Sequence, residues 1–238
     1  MSSLFQTILY QPLFNALVGL YNLIPGTDIG LAIIALTVFI KVLLYPLMNA
    51  SIKVQKSLQD LQPKLQELKQ RYGNNKEEMT KRTLELYKTH KVNPLSSCLP
   101  ILVQIPILLA LYWVLRDGLA TTDFSRLYSF VTNPGALDPV MFGFVNLAKP
   151  NIVLAILAGA AQFWQSKMLI AKRPPAAAAA AGGKDEDFAA IMNKQMTYFM
   201  PIVTVLVGFQ LPGGLTLYWL ASTVLTALQQ LVVFRKVA

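Results

Sequence analysis

The chain is short of almost everything a soluble enzyme needs. Charged residues make up 14% of its 238 positions, against roughly 25% in a soluble domain. There is one cysteine, Cys98, and one histidine, His90. A single cysteine excludes an intramolecular disulfide and any Cys-x-x-Cys metal site, so Cys98 reads as packing. His90 sits in a charged stretch and reads as a solvated side chain rather than a base. The sequence has no cluster of His, Cys and carboxylate residues, no glycine-rich phosphate loop and no nucleophile–base pair. It therefore gives no support for catalysis, a metal or a cofactor. Residues 1–40 contain no Lys or Arg at all.

What the chain has is apolar surface. Hydrophobic residues reach 54% and the mean hydropathy is +0.47. A membrane-spanning helix needs about 20 mostly apolar residues, and there is room for about five. The net charge of +9 is compatible with nucleic-acid binding until it is mapped: ten of the 21 basic residues fall between Lys53 and Lys91. Such clustering suits one side of a membrane better than a sequence-specific nucleic-acid surface. The fold class expected is all-α: a polytopic membrane protein with a five-helix transmembrane core, an interfacial N-terminal helix and a cytoplasmic helical hairpin.

Residues 1–28 lack a basic n-region and make a poor cleavable signal peptide. Thr7, Gln11, Asn15, Gly19 and Asn22 recur every three or four positions on one helical face, opposite Phe5, Leu9, Leu13 and Leu20. That is the pattern of a helix lying in the interface. The first span is expected at 29–52, bent or ended near Pro46. Residues 53–92 hold ten basic and five acidic residues. Val54, Leu58, Leu61, Leu65 and Leu68 form an a/d seam there, Pro63 kinks or restarts the helix, and Tyr72-Gly73-Asn74-Asn75 turns it. This is expected to be a hairpin standing in water. The second span is expected at 93–115, an extracytoplasmic loop at 116–150 and the third span at 151–171. A flexible cytoplasmic loop is expected at 172–194, the fourth span at 195–211, the fifth at 213–234 after Pro212-Gly213-Gly214, and a tail at 235–238. With five spans, the basic segments all fall on one side. The positive-inside rule then puts the C-terminus in the cytoplasm and the N-terminus outside.

The chemistry lies in the polar residues inside the spans. Lys41 is expected about 4 Å from the middle of the apolar run Ile29–Met48 of the first span at roughly 1.5 Å per residue. A lysine at that depth costs about 2.5–3.5 kcal/mol on insertion scales. It either snorkels to the nearer surface or faces a wet recess, since no intramembrane Asp or Glu is there to pair with it. Thr37 lies one turn earlier on the same face, and Gln104 is in the second span. Thr216, Trp219, Thr223, Thr226 and Gln230 trace one stripe of the last span. Each alone could simply glue helices together. Three helices each presenting a polar face point instead to a shared hydrophilic cavity. Tyr218 and Trp219 are open between interface anchors and cavity lining, whereas Tyr112 and Trp113 read as anchors.

Five segments together carry a resemblance: Phe39-Ile40-Lys41-Val42-Leu43-Leu44-Tyr45-Pro46-Leu47, Leu61-Gln62-Pro63-Lys64-Leu65, Asn93-Pro94-Leu95 with Leu99-Pro100, Gln104-Ile105-Pro106-Ile107, and Pro212-Gly213-Gly214-Leu215-Thr216-Leu217-Tyr218-Trp219. In this order the chain resembles the YidC/Oxa/Albino-type membrane protein insertases over nearly its whole length, as a short bacterial member. The resemblance implies a five-helix core enclosing a hydrophilic groove open to the cytoplasm and lipid. It places Lys41 where the family usually has arginine, with Thr37, Gln104 and Trp219 in the same groove. It also implies that substrate helices slide along the second and fourth spans, near Ile105, Pro106, Leu108 and Val207. Lysine keeps the charge but loses the guanidinium fork.

The function expected is therefore an insertase and chaperone for nascent membrane proteins, without ATP hydrolysis, in the bacterial plasma membrane. Its partners would be nascent membrane proteins and the lipid bilayer, with the ribosome, signal-recognition machinery and Sec translocon as further candidates for the basic hairpin. Two alternatives stay open: a small transporter or channel using Lys41 as an ion or proton site, and a membrane assembly scaffold. Against the transporter, the sequence shows no inverted repeat and no pair of broken spans.

Overall fold

The structure is a computed structural model that describes residues 3–73, 75–97, 99–120, 124–170 and 195–237. The expected loop at 172–194 and Cys98 lie outside the described residues. Helix α1 (Ser3–Phe5) runs through a π-type segment, Gln6–Tyr10, into α2 (Gln11–Leu23) without leaving helical backbone angles. Three polar residues of this helix are bonded to a loop. Asn15 donates to Arg126 O at 3.1 Å and accepts from Tyr128 N at 2.6 Å, Gln11 donates to Arg126 O, and Asn22 to Thr132 O at 2.7 Å. Gln11, Asn15 and Asn22 of the stripe read as interfacial thus supply partners for backbone groups of the 124–132 loop. Tyr10 lies under Arg126 and 3.5 Å from Asp117. Burial pushes its phenol above the ordinary value, and the Asp117 carboxylate adds to the effect.

Helix α3 (Ile29–Leu43) starts on Asp28, whose carboxylate accepts from Leu31 N at 3.0 Å and from Phe142 N at 2.6 Å. The first of these is an N-cap. The second ties the helix to a small antiparallel ribbon, β1 (Val140–Met141) with β2 (Val145–Asn146), inside the expected irregular loop. Gly30 admits the Met141 side chain, which a Cβ there would strike. The expected first span at 29–52 is not one straight helix. It breaks at Leu44, and α4 (Tyr45–Asp60) leaves at 70° to α3. Pro46, at the start of α4, has no N–H to give the preceding turn and its ring clashes with the carbonyl four residues back. Lys41 thus stands in the last turn of α3, not near the middle of a continuous span.

The first part of the 53–92 segment packs against other helices. Ser51, Ile52, Lys56 and Leu61 are buried, because α4 packs on the last helix and on the 3-10 turn Pro94–Ser97. Lys56 pairs with the exposed Asp60 at 2.5 Å. Beyond Leu61 two further helices follow. Pro63 opens α5 (Gln62–Tyr72), and α6 (Lys76–Thr89) follows the turn, capped by Asn75. The two lie against each other and neither buries a residue.

Helix α7 (Leu99–Ala120) carries Pro106 inside it and runs past the expected end at 115. Then come α8 (Ile152–Ile170), a π-type segment Gln195–Phe199, α9 (Met200–Gly208) and α10 (Gly213–Val237). α8 packs along both α9 and α10, and glycine sets the closeness of the first contact. A Cβ on Gly208 would lie 2.9 Å from the Ala155 Cβ, and one on Gly159 would strike Val205. Such small-residue contacts let helices associate in lipid by packing. Pro94–Leu119 and Gly213–Arg235 are each long and apolar enough to cross a membrane, and the bent pair Ile29–Leu43 with Tyr45–Asp60 makes a third candidate. The main core gathers α2, α3, α7, the start of α10 and the 124–147 loop around Leu17, Ile29, Leu36, Leu111, Leu147 and Leu215.

Candidate functional site

The polar residues singled out in the spans meet across helices, though not in the pairs their sequence positions suggest. Lys41, half-buried at the end of α3, donates from Nζ to Thr226 Oγ1 on α10 at 2.8 Å. Among the described residues no carboxylate pairs with it. Thr226 passes its own hydroxyl proton back to Ser222 O at 2.7 Å, so its lone pairs are what Lys41 meets. Thr37, with no exposed surface, donates to Ile33 O at 2.6 Å, which satisfies its hydroxyl within its own helix. It shares a face with Lys41, but its bond is local.

The Gln104 amide on α7 donates to the Tyr218 hydroxyl on α10 at 2.7 Å. Tyr218 is 2% exposed, and its hydroxyl also meets the Ser222 side chain. The partner of Gln104 is therefore Tyr218 and not its neighbour Trp219, which is half-buried. A buried phenol needs such a partner. That settles the open reading of Tyr218: it links helices inside the protein and does not anchor at the interface.

Thr216 is fully buried and reaches Gly208 O and Pro212 O, each at 3.4 Å, so it serves the tight turn before α10. Thr223 is buried on the same helix. No hydrogen bond joins Lys41 to Gln104, Thr216, Trp219 or Thr223 among the described residues. One turn beyond Thr226, Gln230 is 2% exposed. Its amide is 3.4 Å from Gln55 Oε1, and its own Oε1 has no partner. Gln229 reaches Tyr45 O at 3.5 Å, beside the bend. Of the four residues expected to guide substrate helices, Ile105 is exposed on α7, Pro106 and Leu108 are half-buried there, and Val207 is half-buried on α9.

Thr226 and Tyr218 are the two residues that position reading undervalued. Thr226 was legible as a member of the polar stripe. Its pairing with Lys41 was not, since that depends on how α3 and α10 are rotated against each other. In Tyr218 the polar tip was visible and its direction was not.

Apolar helices joined by small-residue contacts, with polar side chains bonded helix to helix and a lysine facing inward, define a helical integral membrane protein. The chain belongs to the 60Kd inner membrane protein family, whose model matches residues 19–238. That bears out the resemblance read from the five segments. Among its relatives is the membrane protein insertase YidC of Fusobacterium nucleatum. It is 37% identical over 209 residues, which cover 88% of this chain and 87% of that protein. The protein of the same name in Histophilus somni is 35% identical over 225 residues, covering 94% of this chain and 36% of its own length. The one from Geobacter sulfurreducens is 34% identical over 231 residues, covering 97% and 38%. The chain thus spans most of the Fusobacterium protein and little more than a third of the other two.

Proposed function

We propose that this protein is a membrane protein insertase that lowers the barrier for nascent chains through a hydrophilic recess around Lys41, without ATP hydrolysis. The observation that carries this reading is the ammonium of Lys41, held on Thr226 at 2.8 Å with no carboxylate against it among the described residues. A cation in the bilayer is costly unless it meets water, a partner or a passing anion. A translocating segment brings polar backbone into a layer where each unsatisfied group costs several kcal/mol. A recess that holds water part-way in shortens that layer. Lys41 attracts an acidic residue of the segment, and the attraction is stronger at low dielectric. The apolar helix of the substrate then partitions into lipid and drives its own release. Gln104 and Trp219 line the recess, Thr37, Thr216 and Thr223 pack behind it, and Ile105, Pro106, Leu108 and Val207 guide the leaving helix.

The layout has five crossings, formed by α3, α7, α8, α9 with its preceding π-type segment, and α10. Helix α8 alone, with 19 residues, is about 29 Å long, the thickness of the hydrocarbon core. The N-terminus faces out, and α5, α6 and the C-terminus face the cytoplasm of a bacterium. There the α5–α6 pair receives substrates and meets the ribosome, the signal-recognition machinery or the Sec translocon. The family membership and the names of the relatives support the insertase reading.

The test is insertion into proteoliposomes holding only this protein, with paired substrates that differ only in the acidity of the translocated tail. Lys41→Arg should insert both. Lys41→Ala and Lys41→Glu should lose the acidic-tailed substrate more than the neutral one. Equal insertion of both by a normally reconstituted Lys41→Ala would sink the charge mechanism. Ion or solute flux without insertion would replace the reading with a transporter.

A further inference from the structure

Lysine at the end of a span has an easy escape. Lys41 is two residues from Leu43, the last residue of α3, so an extended side chain can carry the ammonium outward past the bend. The structure shows it elsewhere. Gln229 of α10 lies at the level of the bend, since its amide meets Tyr45 O. Thr226 is three residues earlier on α10, about 4.5 Å further in along its axis. By bonding to Thr226 the ammonium is held roughly one turn inward of the bend.

Thr226 is suited to that task. Its hydroxyl proton is committed to Ser222 O, which leaves the oxygen as an acceptor facing α3. The bond to Ser222 O selects one of the two rotamers open to threonine on a helix, so the acceptor is fixed before the lysine arrives. An acidic residue or a glutamine there would behave differently. The first would neutralise the cation and the second would offer a long and mobile acceptor. A threonine holds the ammonium and leaves its charge free.

We infer that Thr226 is a positioning residue that holds the Lys41 ammonium inside the membrane, so that the charge is presented to acidic translocating segments and does not retreat to the cytoplasmic surface. The part about translocating segments rests on the insertase reading, whereas the placement of the ammonium does not.

The two parts are tested separately. The full chain in nanodiscs is exposed to a water-soluble amine-reactive ester at one pH. Modification of Lys41 is then measured by peptide mass spectrometry against the exposed Lys53. Thr226→Val keeps the shape and removes the acceptor. It should raise the Lys41-to-Lys53 ratio roughly tenfold, the change expected from losing one hydrogen bond to a charged group. Thr226→Ser should restore the wild-type ratio, which a packing defect would not do. If Thr226→Val does not accumulate, Thr226→Ala takes its place. An unchanged ratio in a folded variant overturns the positioning role.

In the insertion assay, Thr226→Val should lower insertion of the acidic-tailed substrate roughly tenfold relative to the neutral one. It should add nothing in a Lys41→Ala background. A changed labelling ratio with an unchanged substrate preference would refute the consequence and keep the placement. A wild-type protein that inserts neither substrate would end the insertase reading and leave the labelling result standing.

Discussion

The α2 end of the bundle and the α5–α6 pair are built from the same kind of element and held by different physics. At the α2 end, Leu17, Ile29 and Leu147 have no exposed surface, and the loop between α7 and α8 is bonded to α2 through Asn15, Gln11 and Asn22. In α5 and α6 no residue is buried. What shapes them locally is an Asn75 cap and charge pairs such as Arg82 with Glu78 at 2.8 Å and with Glu85 at 3.0 Å. Burial fixes one arrangement, because close-packed side chains tolerate little displacement. Exposed charge pairs fix little, since each is screened and opposed by side-chain entropy. The packed end is therefore held in one arrangement, and the α5–α6 pair is the more easily displaced.

Four measurements would break or sharpen that contrast. The largest effect should come from replacing Gln62–Lys91 with a short Gly/Ser linker. Insertion activity should fall to background while the amount of membrane-integrated protein stays near wild type. The cut begins at Gln62 because Lys56 and Leu61 are part of the packed frame. Full activity in this deletion would reduce α5 and α6 to decoration.

Next, Leu17→Ala should destabilise the frame by about 2–5 kcal/mol, the range for truncating a buried leucine. Reversible unfolding in mixed micelles would measure it. A smaller loss than that of Leu86→Ala in α6 would invert the comparison.

A lesser loss, of about 0.5–2 kcal/mol, is expected for Asp28→Ala, which removes the cap of α3 and its tie to the ribbon. Asp28→Asn should recover part of it in the same assay. The smallest effect belongs to Arg82→Ala. It should leave the unfolding midpoint unchanged within error at physiological salt, because its partners are on the surface. A clear shift there would mean that α5 and α6 are a packed unit after all.

The sequence by itself determined the local grammar. The apolar lengths, the turn at Pro212-Gly213-Gly214, the restart at Pro63 and the polar stripe of the last helix were all readable, because each depends on neighbours within a turn or two. The break near Pro46 was readable as well, since proline withdraws a donor wherever it stands. The motif set was enough to give the family. Only the tertiary structure decided how the helices face each other. It gave Thr226 to Lys41 and Tyr218 to Gln104, turned Gln11, Asn15 and Asn22 of α2 onto the 124–132 loop, and buried Lys56 in a segment that reads as solvated. It also moved Lys41 from mid-span to the last turn before a 70° bend. These pairings join residues more than a hundred positions apart. They follow from the rotation of one helix against another, and a periodicity of 3.6 residues along a single helix carries no information about that rotation.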